Sequence, residues 1–425
     1  MCGFSKRLTL LGTSKNGLFP LLRRQLRTRI LMYSVYTAVL RAVLPCTHEK
    51  ISISIGAQWF FAVLIFSGSV LAGDAKIIHQ KNPEFILEQV ANGLGIPWGM
   101  VFLSPDQLIF TERNGHIKLL NLTSLQVVTL SGGPAVFFKG QGGMLDVAIG
   151  PNYSTEGWIY FTYSKPTGSG AATTLARAKQ KDKRLTDWQD LLVSKSATEE
   201  SHHFGSRIAF DDESHIFFSI GDRGVRDLAQ QLDGHAGSIL RLNLDGSVAA
   251  GNPFLDDDNA LDEIWSYGHR SPQGLQFDLD RKILWSSEHG PRGGDEINWV
   301  RKGRNYGWPV ISHGKEYWGP FDIGEGREKK GMEQPVKVYI PSIAPGSLLL
   351  YSGVAFPSWR GNLFSGALKL QHLNRVSISN DNQAMDEERL LTDLKQRIRA
   401  LAQSPEGWIY LSTDSGNIFR LRPPR

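Results

Sequence analysis

The sequence predicts an all-β protein folded as a six-bladed β-propeller, and three observations support that prediction. Helical periodicity is scarce after residue 73. The 44 glycines and 20 prolines are spread along the 425 residues, which favours many tight turns. Short apolar, strand-like runs recur six times, as expected for one small antiparallel sheet per repeat. One marker residue from each run, in order, is Ile109, Ile159, Ile216, Ile283, Leu363 and Ile409. A pair of β-sandwiches is the alternative, which six similar units disfavour.

The turns that precede several of these runs resemble one another. Polar, turn-forming residues of this kind reverse the chain immediately before a strand. They read SPDQ (104–107), STEG (154–157), DDES (211–214) and SPEG (404–407). Propeller blades usually contain about 40–50 residues, so wider spacings between the runs indicate inserted loops. The largest insertion, around residues 302–341, is rich in Gly, Tyr and Trp, and loops of this length are commonly functional.

Polar residues follow the strand-like runs in five of the six units. Because equivalent strands of a propeller end on one face, we expect these residues to meet at the central channel. Solvated loop ends would explain any one of them, but their recurrence favours a shared site. They are Thr111–Arg113, Gly221–Arg223, Glu288–Gly290, Leu368–Lys369 and Thr413–Asp414.

Residues 1–72 read as a leader that precedes a single propeller domain at residues 73–425. The apolar stretch 57–72 is shorter than the roughly 20 residues of a membrane-spanning helix. It follows Lys50 and ends in a small-residue cleavage pattern at Ala72, which predicts a secretory signal peptide. The protein is therefore expected in the periplasm or outside the cell. An uncleaved anchor helix is the alternative.

The basic character of the chain belongs to this leader. Residues 1–72 contain nine basic residues and one acidic residue, a net charge of +8, whereas the remainder carries 38 basic and 41 acidic residues, a net −3. The body therefore has no overall attraction for nucleic acid. Both cysteines, Cys2 and Cys46, lie in the leader, so the body contains neither a disulfide framework nor a thiolate metal site.

A predicted β-hairpin over residues 201–224 brings a histidine close to a carboxylate. With the turn between Asp212 and Glu213, partner residue numbers add to 425, which places His203 opposite Asp222. A carboxylate beside an imidazole fixes its tautomer and stabilises the imidazolium. The pair is a candidate general base with its orienting acid, and a purely structural hydrogen bond is the alternative.

Two further segments carry candidate binding groups. Arg270 precedes a predicted strand, where its guanidinium could clamp a carboxylate or an oxyanion, although a solvent-facing arginine is equally ordinary. Residues 287–298 are rich in glycine and acidic residues, which suits a hard cation such as Ca²⁺. Their spacing does not match an EF-hand, and an ordinary acidic turn is the alternative.

A cluster of cations is predicted on the channel face. Lys369 lies there, and alternation along a strand places Arg397 and Arg399 on one side. A cationic pocket in an acidic body indicates a small polyanionic ligand. Nucleotide-binding, P-loop, serine-hydrolase and zinc-protease motifs are missing from the sequence in their required settings, so those activities are unsupported.

The sequence also resembles a known family over about residues 85–423. The segments that carry the resemblance are GIPWGM (95–100), GQGGMLDVAIGP (140–151), HHFGSRIAF (202–210), SIGDRG (219–224), YGHRSPQGL (267–275), EHGPRGGDEIN (288–298), NYGWP (305–309), PSIAP (341–345), GALK (366–369) and TDSGN (413–417). In order and context they resemble the soluble sugar dehydrogenases that depend on pyrroloquinoline quinone (PQQ), including the aldose sugar dehydrogenases.

This resemblance implies a six-bladed propeller that holds PQQ on a Ca²⁺ ion at the channel mouth. A histidine would take the proton of the sugar C1 hydroxyl while hydride moves to the quinone, and an unidentified quinone or cytochrome would accept the electrons. The implied catalytic residues are His203, Asp222 and Arg270. The implied cofactor-binding residues are Gln141, Ser271, His289, Ser342, Lys369, Arg397, Arg399 and Asp414. The implied calcium ligands are Gly290 and Pro291 at the catalytic ion, and Glu296 and Tyr306 at a second, structural ion.

Four positions depart from the glucose-dehydrogenase branch of that family. His202 stands in place of an aspartate, Ser271 of an asparagine, His289 of a glutamine, and Ile340 of an aromatic residue that packs on the sugar. The departures favour a broad aldose oxidiser over a glucose specialist. Two other functions remain open, a non-catalytic binding propeller and a Ca²⁺-dependent lactonase on a similar scaffold. The cationic set argues against the lactonase.

Overall fold

The computed structural model describes residues 76–78, 84–168 and 170–424, and these residues are mostly β-strand. The predicted leader at residues 1–72, including its apolar segment 57–72, lies outside the described residues, as do Cys2 and Cys46. Within the described part of the chain, the helices are all too short or too polar to cross a membrane.

The described residues form 25 strands and four short helical segments. In chain order the strands are β1 (Lys76–Ile78), β2 (Ile86–Ala91), β3 (Pro97–Ser104), β4 (Gln107–Glu112), β5 (Ile117–Asn121), β6 (Val127–Leu130), β7 (Met144–Ile149), β8 (Trp158–Thr167), β9 (Gly170–Lys181), β10 (Arg184–Val193), β11 (Ile208–Phe210), β12 (His215–Ser219), β13 (Ser238–Asn243), β14 (Ile264–Tyr267), β15 (Pro272–Asp278), β16 (Ile283–Glu288), β17 (Asp295–Val300), β18 (Lys337–Tyr339), β19 (Leu349–Leu350), β20 (Leu363–Gly366), β21 (Leu373–Ile378), β22 (Ala384–Leu390), β23 (Ile398–Gln403), β24 (Ile409–Thr413) and β25 (Asn417–Arg422). The helical segments are α1 (Tyr153–Glu156) and three 3₁₀ turns, Arg226–Gln230, Pro357–Trp359 and Thr392–Leu394.

These strands make six antiparallel sheets, which confirms the predicted six-bladed propeller. Blades 1 to 5 are β3–β6, β7–β10, β11–β14, β15–β18 and β19–β22, each in sequence order or its reverse in space. Blade 6 has the order β1-β2-β25-β24-β23, so its outer strands come from the beginning of the domain and its inner strands from the end. The innermost strand of each blade contacts that of the next, and β23 contacts β3 to close the ring.

The six apolar runs seen in the sequence are the second strands of the six blades. They correspond to β4, β8, β12, β16, β20 and β24. Their six marker residues are at most 4% exposed, because neighbouring blades cover both faces of these strands. A strand buried on both faces reads as a continuous apolar run, which is why the repeats are visible in the sequence.

Blade 6 is closed by a buried ion-pair cluster as well as by backbone pairing. Strand β2 pairs with β25, and Glu88 on β2 accepts hydrogen bonds from Arg420 Nε at 2.7 Å and Arg422 Nε at 2.8 Å. Burial raises the pKa of Glu88, but the two arginines outweigh that effect and hold it below its ordinary value. The ionised carboxylate of Glu88 therefore links β2, near the beginning of the domain, to β25 at its end.

Replacing Glu88 with glutamine is expected to destabilise the protein by about 2–4 kcal/mol, because two arginines in the blade seam lose their counter-ion. The loss should be largest near neutral pH. A carboxylate with a lowered pKa contributes stability above its unfolded pKa, and this contribution disappears as the pH falls below that value. Glu213→Gln, whose side chain is 74% exposed, is the control. Equal melting temperatures for the two variants in thermal denaturation would contradict this role.

The predicted hairpin register is wrong by one residue. Ile208 pairs with Phe218 and Phe210 with Ile216, so partner numbers add to 426 rather than 425. Strand β11 also begins only at Ile208, after the histidine. His203, Gly205 and Ser206 cannot belong to a regular strand because their φ angles are 55°, 68° and 95°. His203 and Asp222 still meet, but through side chains of an irregular segment rather than as strand partners.

The largest predicted insertion is confirmed as the long connection between β17 and β18. It covers residues 301–336 and contains only isolated bridges. Part of it forms a narrow hairpin, in which Glu316 N–H donates to Phe321 O at 2.9 Å. Arg226 anchors this hairpin to blade 3 by two hydrogen bonds to Glu316, at 2.6 and 2.9 Å.

Candidate active site

A histidine and a carboxylate lie in contact where blade 3 reaches the channel mouth. His203 Nδ1 is 2.6 Å from Asp222 Oδ1. The side chain of His203 is 13% exposed and that of Asp222 only 1%. Asp222 follows β12, whereas His203 lies on the segment that leads into β11. The contact predicted from the sequence is therefore present in the structure.

Asp222 is held as an ionised carboxylate inside the protein. Besides His203, it accepts hydrogen bonds from Gly224 N–H at 2.8 Å and from Trp308 Nε1 at 2.8 Å. Burial raises its pKa, but the imidazole, the Gly224 amide and Arg270 together bring the pKa below the ordinary value. An ionised acceptor at Nδ1 requires the proton on that nitrogen, which leaves the other ring nitrogen, Nε2, free to accept a proton.

The electrostatic surroundings keep His203 neutral. Burial lowers its pKa to about 4, and the nearby positive charge of Arg270 contributes to the decrease, while Asp222 opposes it. The backbone N–H of His203 donates to Gln141 Oε1 at 2.9 Å, which connects blade 3 with blade 2. The imidazole can therefore act as a base above about pH 4.

Arg270 lies beside this pair and is fixed by its neighbours. Its backbone N–H donates to Glu288 Oε2 at 2.8 Å, and its Nη1 donates to the carbonyl oxygens of His289 and Gly290 at 3.0 and 3.2 Å. Its carbonyl oxygen accepts from Asp222 N–H at 2.8 Å. The residue is 7% exposed, and its Nε has no hydrogen-bond partner among the described residues. Its Nη2 donates to the hydroxyl of Tyr317 at 3.4 Å.

A cavity of about 200 Å³ is lined by Phe204 and Gly205, which directly follow His203 in the chain, whereas His203, Asp222 and Arg270 do not line it themselves. All six blades contribute to its lining, which places it at the channel mouth, as predicted for residues that follow equivalent strands. One lining residue from each blade, in order, is Arg113, Gln141, Phe204, His289, Leu368 and Arg399.

The cavity is strongly cationic. Arg397 and Arg399 share one counter-ion, Asp414, at distances of 2.8 to 3.0 Å. Arg113 lines the same cavity without a carboxylate partner among the described residues. Burial lowers the pKa of Arg113, and the charge of Arg399 lowers it further. Three guanidinium groups thus face a single carboxylate, which suits a ligand carrying several negative charges.

The other residues implied in cofactor binding are less uniformly placed. His289 lines the cavity and donates from Nε2 to Pro345 O at 2.7 Å. Ser342 donates its hydroxyl to Asp295 Oδ2 at 2.5 Å, and Ser271 accepts from Gln273. Lys369 is exposed at the rim beside Leu368. Ser271, Ser342 and Lys369 are therefore not among the residues that line the cavity.

The four implied calcium ligands line one small cavity of about 20 Å³, a volume sufficient for a single water-sized particle. The resemblance had implied two separate ions. Gly290, Pro291, Glu296 and Tyr306 meet there with the buried carboxylate of Glu288. The hydroxyl of Tyr306 donates to Trp299 O at 2.5 Å and is not available as a ligand.

Glu288 and Glu296 line this small cavity, and Arg270 also lines it. Burial raises the pKa of Glu296 to about 8, and the neighbouring Glu288 and Asp295 contribute to the increase. Glu288 receives hydrogen bonds from His269, Asn298 and the backbone of Arg270. Asp295 receives them from Gly290 and Ala344. Within the described residues, the side-chain hydrogen-bond donor to Glu296 is the Asn298 amide at 3.1 Å, so a divalent ion would supply further positive charge.

Three residues of the site received no individual role from sequence reasoning. Arg113 and Glu288 were included only as polar residues that follow a strand-like run. Arg113 follows β4 just as Asp414 follows β24, and this equivalence could have identified it. Trp308 donates to Asp222 and packs against Arg270, with the guanidinium carbon 5.3 Å from the ring centroid. It lies in the long insertion, where the sequence carries no spacing signal.

Fold and site together define a class: a six-bladed propeller with a histidine–aspartate pair, a buried arginine and a cationic cavity at one end of its channel. The sequence model of the Glucose / Sorbosone dehydrogenase family matches residues 94–420, so the chain belongs to that family of oxidoreductases. The resemblance seen in the sequence is thereby confirmed.

Individual proteins agree with this assignment. The aldose sugar dehydrogenase YliI of Escherichia coli is 36% identical over 346 residues, which cover 79% of this chain and 92% of that protein. Quinoprotein glucose dehydrogenase B of Acinetobacter calcoaceticus is 30% identical over 266 residues, covering 56% of this chain and 55% of that protein. The crystal structure of the soluble aldose sugar dehydrogenase of Escherichia coli in its apo-form superposes with a TM-score of 0.77 and 34% identity, covering 80% of this chain and 99% of that one.

Proposed function

We propose that this protein is an exported quinoprotein that oxidises the C1 hydroxyl of aldose sugars to the lactone. The observation that carries the proposal is the neutral His203, held on Asp222 beside Arg270 at the edge of a cationic cavity. The apolar segment at residues 57–72 supports export. A quinone or a cytochrome would accept the electrons, and the oligomeric state is left open.

The cationic cavity fits PQQ, which carries three carboxylates. Arg113, Arg397 and Arg399 offer positive charge against the single Asp414. Lys369 at the rim adds a further cation. When bound, PQQ would supply a two-electron acceptor for the hydride of the sugar C1. A pocket of neutral residues would not select such a ligand, because its charges would lose their hydration without compensation.

The residues of this chain account for the proton and for the orientation. His203 Nε2 would accept the proton of the C1 hydroxyl, while Asp222 keeps the proton on Nδ1 and stabilises the imidazolium that forms. Arg270 would place positive charge where negative charge develops on the ligand. Its own position is fixed by Glu288 and by the carbonyl oxygens of residues 289 and 290. Trp308 donates to the second carboxylate oxygen of Asp222 and so helps to hold that carboxylate in place.

Turnover tests this proposal. Apo-protein supplied with Ca²⁺ and PQQ is expected to reduce an artificial dye when an aldose is added. Because the base must be neutral, the rate should be level from about pH 5.5 to 8 and should fall about tenfold per pH unit below pH 4. Sugar oxidation that proceeds equally without PQQ, or none with any aldose, would reject it. Lactone hydrolysis or sugar binding without turnover would favour the lactonase or the binding propeller.

Calcium is proposed at the small cavity that Glu296 lines. Adding Ca²⁺ should raise the melting temperature of the wild-type protein by several degrees, because an ion that binds only the folded state stabilises it. The gain should increase with pH up to about 8, since below that pH the ion must displace a proton from Glu296. Glu296→Gln should abolish the gain. Glu406→Gln, on an exposed turn, should retain it, and a calcium effect equal in both variants would contradict the assignment.

A further inference from the structure

Arg223 is a fully buried cation directly after Asp222 in the chain. Its exposure is 0%, and within the described ranges its hydrogen bonds go to backbone oxygens and not to a carboxylate. Burial lowers its pKa to about 10, although the charges of Asp222 and Glu200 act in the opposite direction. Its guanidinium carbon lies 3.5 Å from the ring centroid of Phe204, a cation–π contact. An arginine without a directly bonded counter-ion is costly to bury, so its hydrogen-bond partners indicate what it does.

The donors of Arg223 reach three backbone carbonyl oxygens. Nη2 donates to Glu200 O at 2.9 Å and to Ala171 O at 3.2 Å, and Nη1 donates to His202 O. Two of these three acceptors, the carbonyl oxygens of Glu200 and His202, belong to residues 200–203, the segment that carries His203. The planar fork of the guanidinium thus holds this segment against blade 2, to which Ala171 on β9 belongs.

The segment needs such a support because its backbone is strained. His203 has a φ of 55°, in the left-handed region that a residue with a side chain rarely adopts. A conformation of this kind persists only when surrounding contacts fix it. On one side, Gln141 accepts the His203 backbone N–H. On the other side, the carbonyl oxygen of the preceding residue, His202, is held by Arg223.

We propose that Arg223 is a positioning residue for His203, which fixes the strained segment so that the imidazole stays against Asp222 and presents Nε2 to the channel mouth. What the imidazole does there rests on the proposed function. The position itself does not, and it can be measured in the apo-protein. The charged and titratable groups that face His203 are Asp222, Arg270 and His202. None of these is altered by a substitution at Arg223.

Arg223→Lys and Arg223→Met test the proposal, with Arg241→Lys as the matched control. Arg241 lies in the same blade, on β13, is 7% exposed, and stacks on Trp265 with its guanidinium carbon 5.1 Å from the ring centroid. It also donates to a backbone carbonyl oxygen, that of Ala250. It lacks any hydrogen bond to the segment that carries the base. Lysine keeps the charge at either position but cannot reach three carbonyl oxygens in the geometry of the planar fork.

Two measurements separate positioning from stability. The first is the pKa of His203 in the apo-protein, followed by NMR of its ring. Arg223→Lys should raise it from about 4 towards the ordinary value of about 6.5, because a released imidazole becomes hydrated. The second is steady-state oxidation of glucose by the PQQ-loaded enzyme. In Arg223→Lys, kcat should fall at least about tenfold with KM changed less than about threefold, since misplacement affects the chemical step.

Arg241→Lys should lower the melting temperature to a similar extent and leave both the His203 pKa and kcat unchanged. If Arg223→Met fails to fold, Arg223→Lys decides the matter. The proposal is overturned if folded Arg223→Lys keeps the wild-type His203 pKa and kcat, or if both lysine variants lose kcat equally. A wild-type protein that oxidises no sugar would reject the proposed function, whereas the NMR titration would still decide whether Arg223 positions His203.

Discussion

Replacement of His203 by glutamine is expected to lower kcat for aldose oxidation by about 10³-fold, because general-base catalysis contributes about 10²–10⁴. Glutamine has a comparable size and can donate its amide N–H to Asp222, as the Nδ1–H group does. It cannot accept a proton at any working pH. Since burial already keeps His203 neutral, the substitution leaves the charge of the site unchanged. PQQ binding should therefore change little.

His202→Gln is the matched control for this experiment. The two rings are adjacent, with centroids 4.5 Å apart, but the side chain of His202 is 39% exposed and is 3.4 Å from the exposed Glu200 carboxylate rather than a buried one. We expect its kcat to stay within about threefold of wild type, because an exposed imidazole whose neighbouring carboxylate is also exposed is a weak base catalyst. Dye-linked turnover with saturating PQQ measures both variants. A His203→Gln enzyme with full turnover would exclude the proposed base.

Gly221→Ala is expected to lower kcat by about 10²-fold through displacement of two active-site residues at once. A Cβ at this position would lie 2.4 Å from His203 O and 2.9 Å from Arg270 O. Both are backbone atoms and cannot swing aside as a flexible side chain would. The segment that carries the base must therefore move, and a misplacement of about 1 Å in an active site can cost about 10²-fold.

The matched control is Gly168→Ala, because a Cβ there meets no atom of the described residues within 4 Å apart from its chain neighbours. Neither glycine has a positive φ, so the comparison isolates the steric effect from backbone strain. Gly168→Ala should retain wild-type kcat and melting temperature. Crystal structures would show whether His203 has moved in Gly221→Ala. Wild-type turnover in Gly221→Ala would mean that the close approach of this backbone to His203 is not required for catalysis.

Much of the fold was readable because of how a propeller buries its strands. Each second strand is covered on both faces, so the residues around Ile159 or Ile409 form uninterrupted apolar runs between polar turns. The outer strands gave weaker signals. Strand β22, for example, contains the charged residues Asp386, Glu387 and Glu388 and pairs at the edge of blade 5. Alternation alone could not have assigned it.

The site was only partly predictable for a different reason. Pairing arithmetic predicted the contact between His203 and Asp222, but it assumed a turn centred between Asp212 and Glu213 and a regular strand. The turn is instead centred on Glu213, which shifts the register by one residue, and the left-handed residues at 203, 205 and 206 interrupt the strand before Ile208. Contacts between blades follow no fixed separation along the sequence, so no pattern of residues predicts them. Trp308 reaches Asp222 across 86 positions, and Gln141 reaches His203 across 62. Such partners become visible only when the ring closes.

Isothermal titration of the apo-protein with PQQ in the presence of Ca²⁺ tests most directly whether the cations, the arginine and the histidine share one site. We predict saturable binding of one PQQ per chain. Arg399→Met should weaken binding at least about tenfold, because a charge-assisted contact contributes about 1.5–3 kcal/mol. His203→Gln should bind as wild type does. No saturable binding by the wild-type protein, or equal affinity in Arg399→Met, would contradict a PQQ site at the channel mouth.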